Sequence, residues 1–378
     1  MVINDKRINF FMHRFCTGGV ERMFINVSHQ LSDRNLNLVI LNNDFDIIFK
    51  QIPSWVTVLN FDEYALIRRL RNAGKYRLVA LPVQIMIFFI QLFIIRYDKK
   101  YRADLNVNFS DTLSTLLAAC IGKGPSVSWI HLNPKMLFGR VKRYFYKSLY
   151  KRCKVVVCIC NEQREEFGRF MVHPHTRVIY NTVNVRLLDE RRQEALNFVN
   201  GEYMLMVARL DLRSKDFFTV IDAYERLYEE HNISYKLVFL GEGQDRPVIE
   251  QYIQEKGLGH LIFLPGNDVN PYKWMTNAKV FIFSSRFEGF GLVLVEAMCC
   301  NVPVISTDCE VGPTEILGGG EYGILVKTGN VSEMKNAIWR MLNKDEAEIR
   351  TQVEFARKRS LEFDLNNKSN IIDLFANI

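Results

Sequence analysis

Short, continuously apolar runs separated by helical patterns constrain this chain more than any other feature in it. From residue 7 onward they read INFFM, LNLVIL, WVTVLNF, DLNVNF, SVSWI and KVVVCIC, then YMLMVA, YKLVFL, LIFLP, KVFIFS, VPVIS and YGILV. As a set they are apolar throughout rather than alternating, so they are expected to be strands buried on both faces of parallel sheets, with helices as cover. The expected fold class is α/β, doubly wound. The first series ends in RVIYNTV (177–183) and the second begins at YMLMVA (203–208), with the charged stretch NVRLLDERRQEALNFVNGE between them. In 378 residues, 48% of them apolar, two cores are expected rather than one. The boundary falls in that charged stretch, giving one domain over residues 1–185 and another over 186–360.

Cysteine usage and charge narrow the setting. The eight cysteines show neither CxxC pairing nor the histidine partners of a zinc site, and they sit mostly in apolar runs, so reduced, buried thiols are expected. The opening MVINDKRINFFMHRF has no long apolar stretch or cleavage site of the secretory kind, from which a cytoplasmic location is expected. LVALPVQIMIFFIQLFII (78–95) reaches the lower length limit of a membrane span but contains Pro82, Gln84 and Gln91, which disfavours spanning. Residues 1–180 hold 27 Lys and Arg against 13 Asp and Glu, whereas the remainder holds 22 against 29. The first half is basic.

Ligands of open α/β sheets lie beyond the carboxyl ends of the strands, so the strand-to-helix turns carry the candidate site. Gly18 and Gly19 follow the first strand and precede a helical pattern, which suits either a plain turn or close approach to a phosphate. In VARLDLRSKDFF, Arg209 and Lys215 stand where two cations would suit a diphosphate, and Arg213 reads as solvated. The most specific element is SSRFEGFGLVLVEAM (284–298): Glu288 lies on a loop and Glu296 follows on an otherwise apolar helix. A carboxylate there is costly unless hydrogen-bonded, and a pair of ribose hydroxyls or a neighbouring backbone segment would satisfy it. Gly289 and Gly291 open that helix's N-terminus to a sugar or phosphate. His131, ending SVSWIH, reads from its residue type alone as structural. Asp44 and Asp46 in NNDFD form a D-x-D pair, but no second ligand cluster accompanies them, so they read as loop residues and no metal is expected.

These segments resemble the retaining GT-B glycosyltransferases of the large glycogen-synthase-like family four. SSRFEGFGLVLVEAM is similar to the E-x7-E signature of that family, TGGVERM to its glycine loop, VARL with SKD to its Arg/Lys pair, FLGEGQDR to its glycine turn and STDCEVGPTEIL to its final turn, in the family's order from residue 17 to 317. The resemblance implies two Rossmann-like domains facing a cleft, with residues 361–378 returning to the first domain. It implies a retaining, metal-independent transfer of a hexosyl or N-acetylhexosaminyl group, without a cofactor beyond the nucleotide-sugar donor. Arg209 and Lys215 would neutralise the diphosphate, Glu288 and His131 would touch the sugar, and Glu296 would hold the ribose. Phe290, Gly291 and Leu292 would border the donor, Gly18 and Gly19 the diphosphate or acceptor, and Gly243 the nucleobase. The spacing from Arg209 to Lys215 is one residue longer than the usual pattern, which leaves Arg213 as the substitute cation.

DCEVGPTEIL followed by GEYGILV is similar to bacterial enzymes that build lipid-linked surface oligosaccharides, as in lipopolysaccharide or capsule, and so implies a UDP-sugar and a glycan or polyprenyl-diphosphate-linked acceptor. Charge agrees with a membrane-side acceptor: Arg68, Arg69, Arg71, Lys75 and Arg77 precede the apolar stretch, Lys99, Lys100 and Arg102 follow it, and KMLFGRVKRYFYKSLYKR (135–152) interleaves cations with aromatics. This fits a helix lying on anionic lipid at the inner membrane face, or equally a partly buried helix with a solvated basic face. No nucleic-acid motif accompanies the charge. The rival functions are a nucleotide-sugar epimerase or phosphorylase on the same fold, and an inactive sugar-nucleotide-binding protein.

Overall fold

Every apolar run read as strand-forming forms a strand, and all these strands pair in parallel. The structure is a computed structural model that describes residues 6–16, 18–42, 47–73, 80–132, 140–196, 201–367 and 369–376. Asp44, Asp46, Lys75, Arg77 and the first part of the basic run, 135–139, lie outside the described residues. The chain divides into two units, Met1–Tyr180 with Lys368–Ile378, and Asn181–Asn367.

The first unit is built on β1 (Arg7–Met12), β2 (Asn35–Ile40), β3 (Thr57–Leu59), β4 (Leu105–Asn108), β5 (Ser126–Ile130), β6 (Val155–Cys158) and β7 (Thr176–Val178), in the order 3-2-1-4-5-6-7. Burial on both faces makes unpaired polar side chains costly, and the amide groups of Asn9, Asn37 and Asn108 in these strands donate to protein partners. Asn37 donates to Asn9 at 2.8 Å, Asn9 to the Tyr101 carbonyl at 2.8 Å, and Asn108 to Ser128 Oγ at 2.8 Å. The helix Ala80–Tyr97 lays Ile87, Gln91, Leu92 and Ile95 on this unit, while Leu81, Ile85, Phe89, Phe93 and Tyr97 are exposed.

The second unit holds β8 (Tyr203–Val207), β9 (Lys236–Leu240), β10 (Ile262–Gly266), β11 (Val280–Phe283), β12 (Val304–Asp308) and β13 (Ile324–Lys327), in the order 10-9-8-11-12-13. Its core gathers Met204, Leu237, Phe239, Val280, Ile282 and Ile305 from the strands beneath the helices Phe217–His231 and Val331–Leu342.

Where the chain leaves this unit differs from the expected residue 361. Phe363 is buried, with its ring centroid 5.6 Å from Phe290. Leu365 N–H donates to the Val183 carbonyl at 2.8 Å, and Val183 N–H to that of Phe363 at 2.9 Å. Residues 361–367 are thereby held in the second unit. The helix Ser369–Ala376 belongs to the first, where Phe375 lies 6.2 Å from Phe10, ring centre to ring centre.

Candidate active site

In the second unit the strand order reverses between β8 and β11, so the loops that follow these neighbouring strands diverge and leave a crevice at their carboxyl ends. Lys215 sits on the first loop, and Glu288 on the second. The two loops are sewn together by main-chain bonds: Asp216 N–H to the Ser284 carbonyl at 3.1 Å and Arg286 N–H to that of Ser214 at 2.8 Å. Ser284 Oγ adds a bond to the Asp216 carbonyl at 2.8 Å, and Asp216 caps the helix Phe217–His231 by accepting from Thr219 N–H at 3.3 Å.

That frame brings Lys215 onto Glu288 as an ion pair in which both side chains are about five-sixths buried. Lys215 Nζ also donates to Ser285 Oγ at 3.0 Å, and Ser285 Oγ donates to Glu288 Oε1 at 2.8 Å. The ammonium lies 4.8 Å over the Phe283 ring. Arg213, the substitute cation, is occupied elsewhere: its guanidinium holds Asp211 at 3.1 Å, and this bond keeps the Asp211 carboxyl below its usual range. Arg209 is exposed and makes no side-chain hydrogen bond or ion pair among the described residues. Two cations therefore flank the end of β8 in different states, one already paired and one open to an anion.

The turn after β9 presses on the same loop. Leu210 N–H donates to the Glu242 carbonyl at 3.0 Å, and a Cβ at Gly243 would stand 2.2 Å from the Leu210 carbonyl oxygen, so only glycine fits there. Beyond β11, Gly291 takes a φ of 96° at the start of the helix Leu292–Cys299. The first amides of that helix have no partner within it. The Phe290 side chain is buried against Phe363.

Glu296, one turn along, is 5% exposed and accepts a hydrogen bond from Tyr272 Oη at 3.1 Å. Burial, with a contribution from the Glu296 charge, pushes the Cys299 and Cys300 thiols up to about 11 and about 12. None of the eight cysteines forms a disulfide.

In the first unit, Gly18 precedes the helix Gly19–Gln30 with extended backbone at φ −171°, and a Cβ on Gly19 would meet open space. Neither glycine is demanded by the fold around it. His131 follows β5, 5% exposed, with its ring edge against Phe109 at 4.5 Å. Burial pushes its imidazole down to about 3, so the ring is neutral, and neither ring nitrogen has a hydrogen-bond partner among the described residues. Sequence reasoning missed Ser285, Tyr272 and Asp111. The signal for Ser285 was present in two serines directly after the buried strand VFIF.

Comparison with known proteins follows the same division of the chain. The family described as Glycosyltransferase Family 4 matches residues 17–187, and Glycosyl transferases group 1 matches residues 189–359. The crystal structure of Anabaena Alr3699/HepE in complex with UDP and glucose superposes with a TM-score of 0.77 at 19% identity, covering 99% of this chain and 100% of that one. The architecture is thus that of the GT-B class. The chain belongs to the GT-B glycosyltransferases of the family-four type.

Among its relatives, the N-acetylgalactosamine-N,N'-diacetylbacillosaminyl-diphospho-undecaprenol 4-alpha-N-acetylgalactosaminyltransferase of Campylobacter jejuni is 27% identical over 371 residues, 95% of this chain and 96% of that protein. The poly(ribitol-phosphate) alpha-N-acetylglucosaminyltransferase of Staphylococcus aureus is 29% identical over 208 residues, 55% of this chain and 40% of that one.

Proposed function

We propose that this glycosyltransferase moves a hexosyl or N-acetylhexosaminyl group from a UDP-sugar, with retention, to a polyprenyl-diphosphate-linked or glycan acceptor in bacterial surface-polysaccharide synthesis. The observation that carries the reading is the Lys215–Ser285–Glu288 cluster beside the unpaired Arg209, at the point where the strand order reverses. Arg209 and Lys215 take up charge on the diphosphate as the bond from the anomeric carbon to phosphate breaks. Glu288 contacts the sugar, and the amides at Phe290, Gly291 and Leu292 meet the donor at a helix N-terminus. Glu296 accepts from the ribose hydroxyls, and the Gly243 turn borders the base. In the first unit, the neutral His131 contacts the transferred sugar, while Gly18 and Gly19 face the diphosphate or acceptor.

Retention follows when the acceptor hydroxyl attacks the face the phosphate leaves. The new bond forms from the acceptor oxygen to the anomeric carbon, and the hydroxyl proton passes to the departing phosphate oxygen. No opposed pair of carboxylates is needed, unlike in glycoside hydrolysis. With the charge carried by side chains and amides, chelators should leave the rate unchanged.

The lipid-linked acceptor is supported by the full-length likeness to the Campylobacter enzyme, whose name specifies a diphospho-undecaprenol substrate, and by the exposed face of Ala80–Tyr97. That helix is long and apolar enough to cross a membrane, with a mean hydropathy of 1.8. Exposed Arg68, Arg69 and Lys99 lie before and after it in the chain and exposed Arg96 lies in its last turn, as suits a helix lying along an anionic lipid surface at the inner membrane face.

The donor assignment is tested by a pair of variants. Glu296→Ala should weaken UDP binding about tenfold or more through loss of a buried, charged acceptor. Arg209→Ala should leave UDP affinity nearly intact and lower turnover by about 10²-fold or more. Unaltered UDP affinity in Glu296→Ala, measured by calorimetry, removes the ribose role.

A further inference from the structure

At the end of β5 the main-chain amides of His131 and Leu132 both donate to one oxygen of Asp111, at 2.9 and 2.7 Å. Asp111 lies on the loop that follows β4. These two amides sit on either side of the His131 Cα, so a single carboxylate oxygen fixes the backbone torsions that aim the imidazole. The other Asp111 oxygen and both ring nitrogens of His131 have no hydrogen-bond partner among the described residues. A carboxylate whose free oxygen is shut off from solvent is costly, and its lack of an ion pair among the described residues leaves fold stability a poor reason for it. Resting on the reading that His131 meets the donor sugar, we propose that Asp111 is a positioning residue for transfer: its carboxylate locks the chain on both sides of His131 and so holds the imidazole in place.

Burial pushes the Asp111 carboxyl up to about 7, against the opposing effect of the two amides. The titratable groups facing it are Tyr146 and Tyr150 on the helix Arg140–Tyr150, Cys158 on β6, and His131 itself. Burial pushes the tyrosines up, the thiol up to about 12 and the imidazole down to about 3. Among the described residues, Asp111 is therefore the group in this cluster that changes charge between pH 5 and 9. A charged acceptor makes the stronger amide bond, so the hold on His131 tightens as pH rises through about 7.

The test uses the full chain in three forms: wild type, Asp111→Asn and His131→Ala. Hydrogen exchange of the His131 and Leu132 amides, corrected for intrinsic rates, should show protection in the wild type rising about tenfold from pH 6 to pH 8, with no such rise in Asp111→Asn. UDP release from UDP-glucose, UDP-N-acetylglucosamine and UDP-N-acetylgalactosamine supplies the second readout. An acid limb near pH 7 should appear in the wild type and vanish in Asp111→Asn. Equal protection in the wild type and Asp111→Asn at both pH values overturns the proposal, as does an unaltered acid limb. Unchanged UDP release in His131→Ala overturns the donor-contact reading instead, while the exchange data still judge the backbone lock. Should Asp111→Asn fail to fold, carbon-13 titration of aspartate carboxyls in the wild type decides, and Asp111 ionising below pH 5 counts against the proposal.

Discussion

The free oxygen of Asp111 is shut off from solvent and the carboxylate meets no cation among the described residues, so burial holds its carboxyl near 7 instead of at the ordinary 3.8. A folded-state value above the unfolded one means that the native protein holds this proton more tightly. Its contribution to stability is full below about pH 4 and is lost as pH climbs to about 7. Asp111→Asn should therefore gain on the wild type between pH 5 and pH 8 in urea unfolding, by about 3 kcal/mol at most for a shift of this size. A wild type that instead gains on the variant over that interval would contradict the burial of an ionising group. Lys215 and Glu288 were legible as a constellation because each stands at a strand-to-helix turn. Asp111 was not, since DTLSTLL reads as the start of a helix, and its neighbour Thr112 does cap that helix by accepting from Thr115 N–H at 3.3 Å. A side chain that serves a distant backbone leaves no local pattern.

Elements show the same contrast. The strands were legible because burial on both faces demands uninterrupted apolar residues, and β5, β6 and β11 are buried at every position. The helix Ala80–Tyr97 was legible as a helix, but its outward face was not, because it is apolar on nearly every side. Its most exposed apolar positions besides Met86 include Leu81, Ile85, Phe89, Phe93 and Tyr97, which recur every fourth residue and so form one stripe. Phe89 and Phe93 are 62% and 64% exposed, so little packing is lost if they are replaced. The double variant Phe89→Glu/Phe93→Glu should keep the wild-type melting temperature yet lose most sedimentation with anionic liposomes at low salt. A drop of many degrees in melting temperature would show the stripe to be covered by protein, and wild-type sedimentation would move the lipid contact elsewhere.

For the whole molecule, the expected return to the first domain at residue 361 came seven residues early. LEFDLNNKSNIIDLF reads as one apolar helical pattern, and nothing local reveals that Phe363 packs on Phe290 or that Leu365 bonds Val183. The segment that does return buries Ile371, Leu374 and Phe375 in the first unit. Fully burying such side chains is worth about 1.5–3 kcal/mol each, so deleting residues 368–378 should lower the first unit's unfolding free energy by several kcal/mol. Calorimetry of the truncated chain should show the transition of the second unit nearly unmoved, and equal loss in both units would refute the assignment. The second unit is thus an insert within the first, entered near residue 180 and left near 367. A protease that nicks only one of these two passages releases no free domain, because the chain still joins the two units through the other.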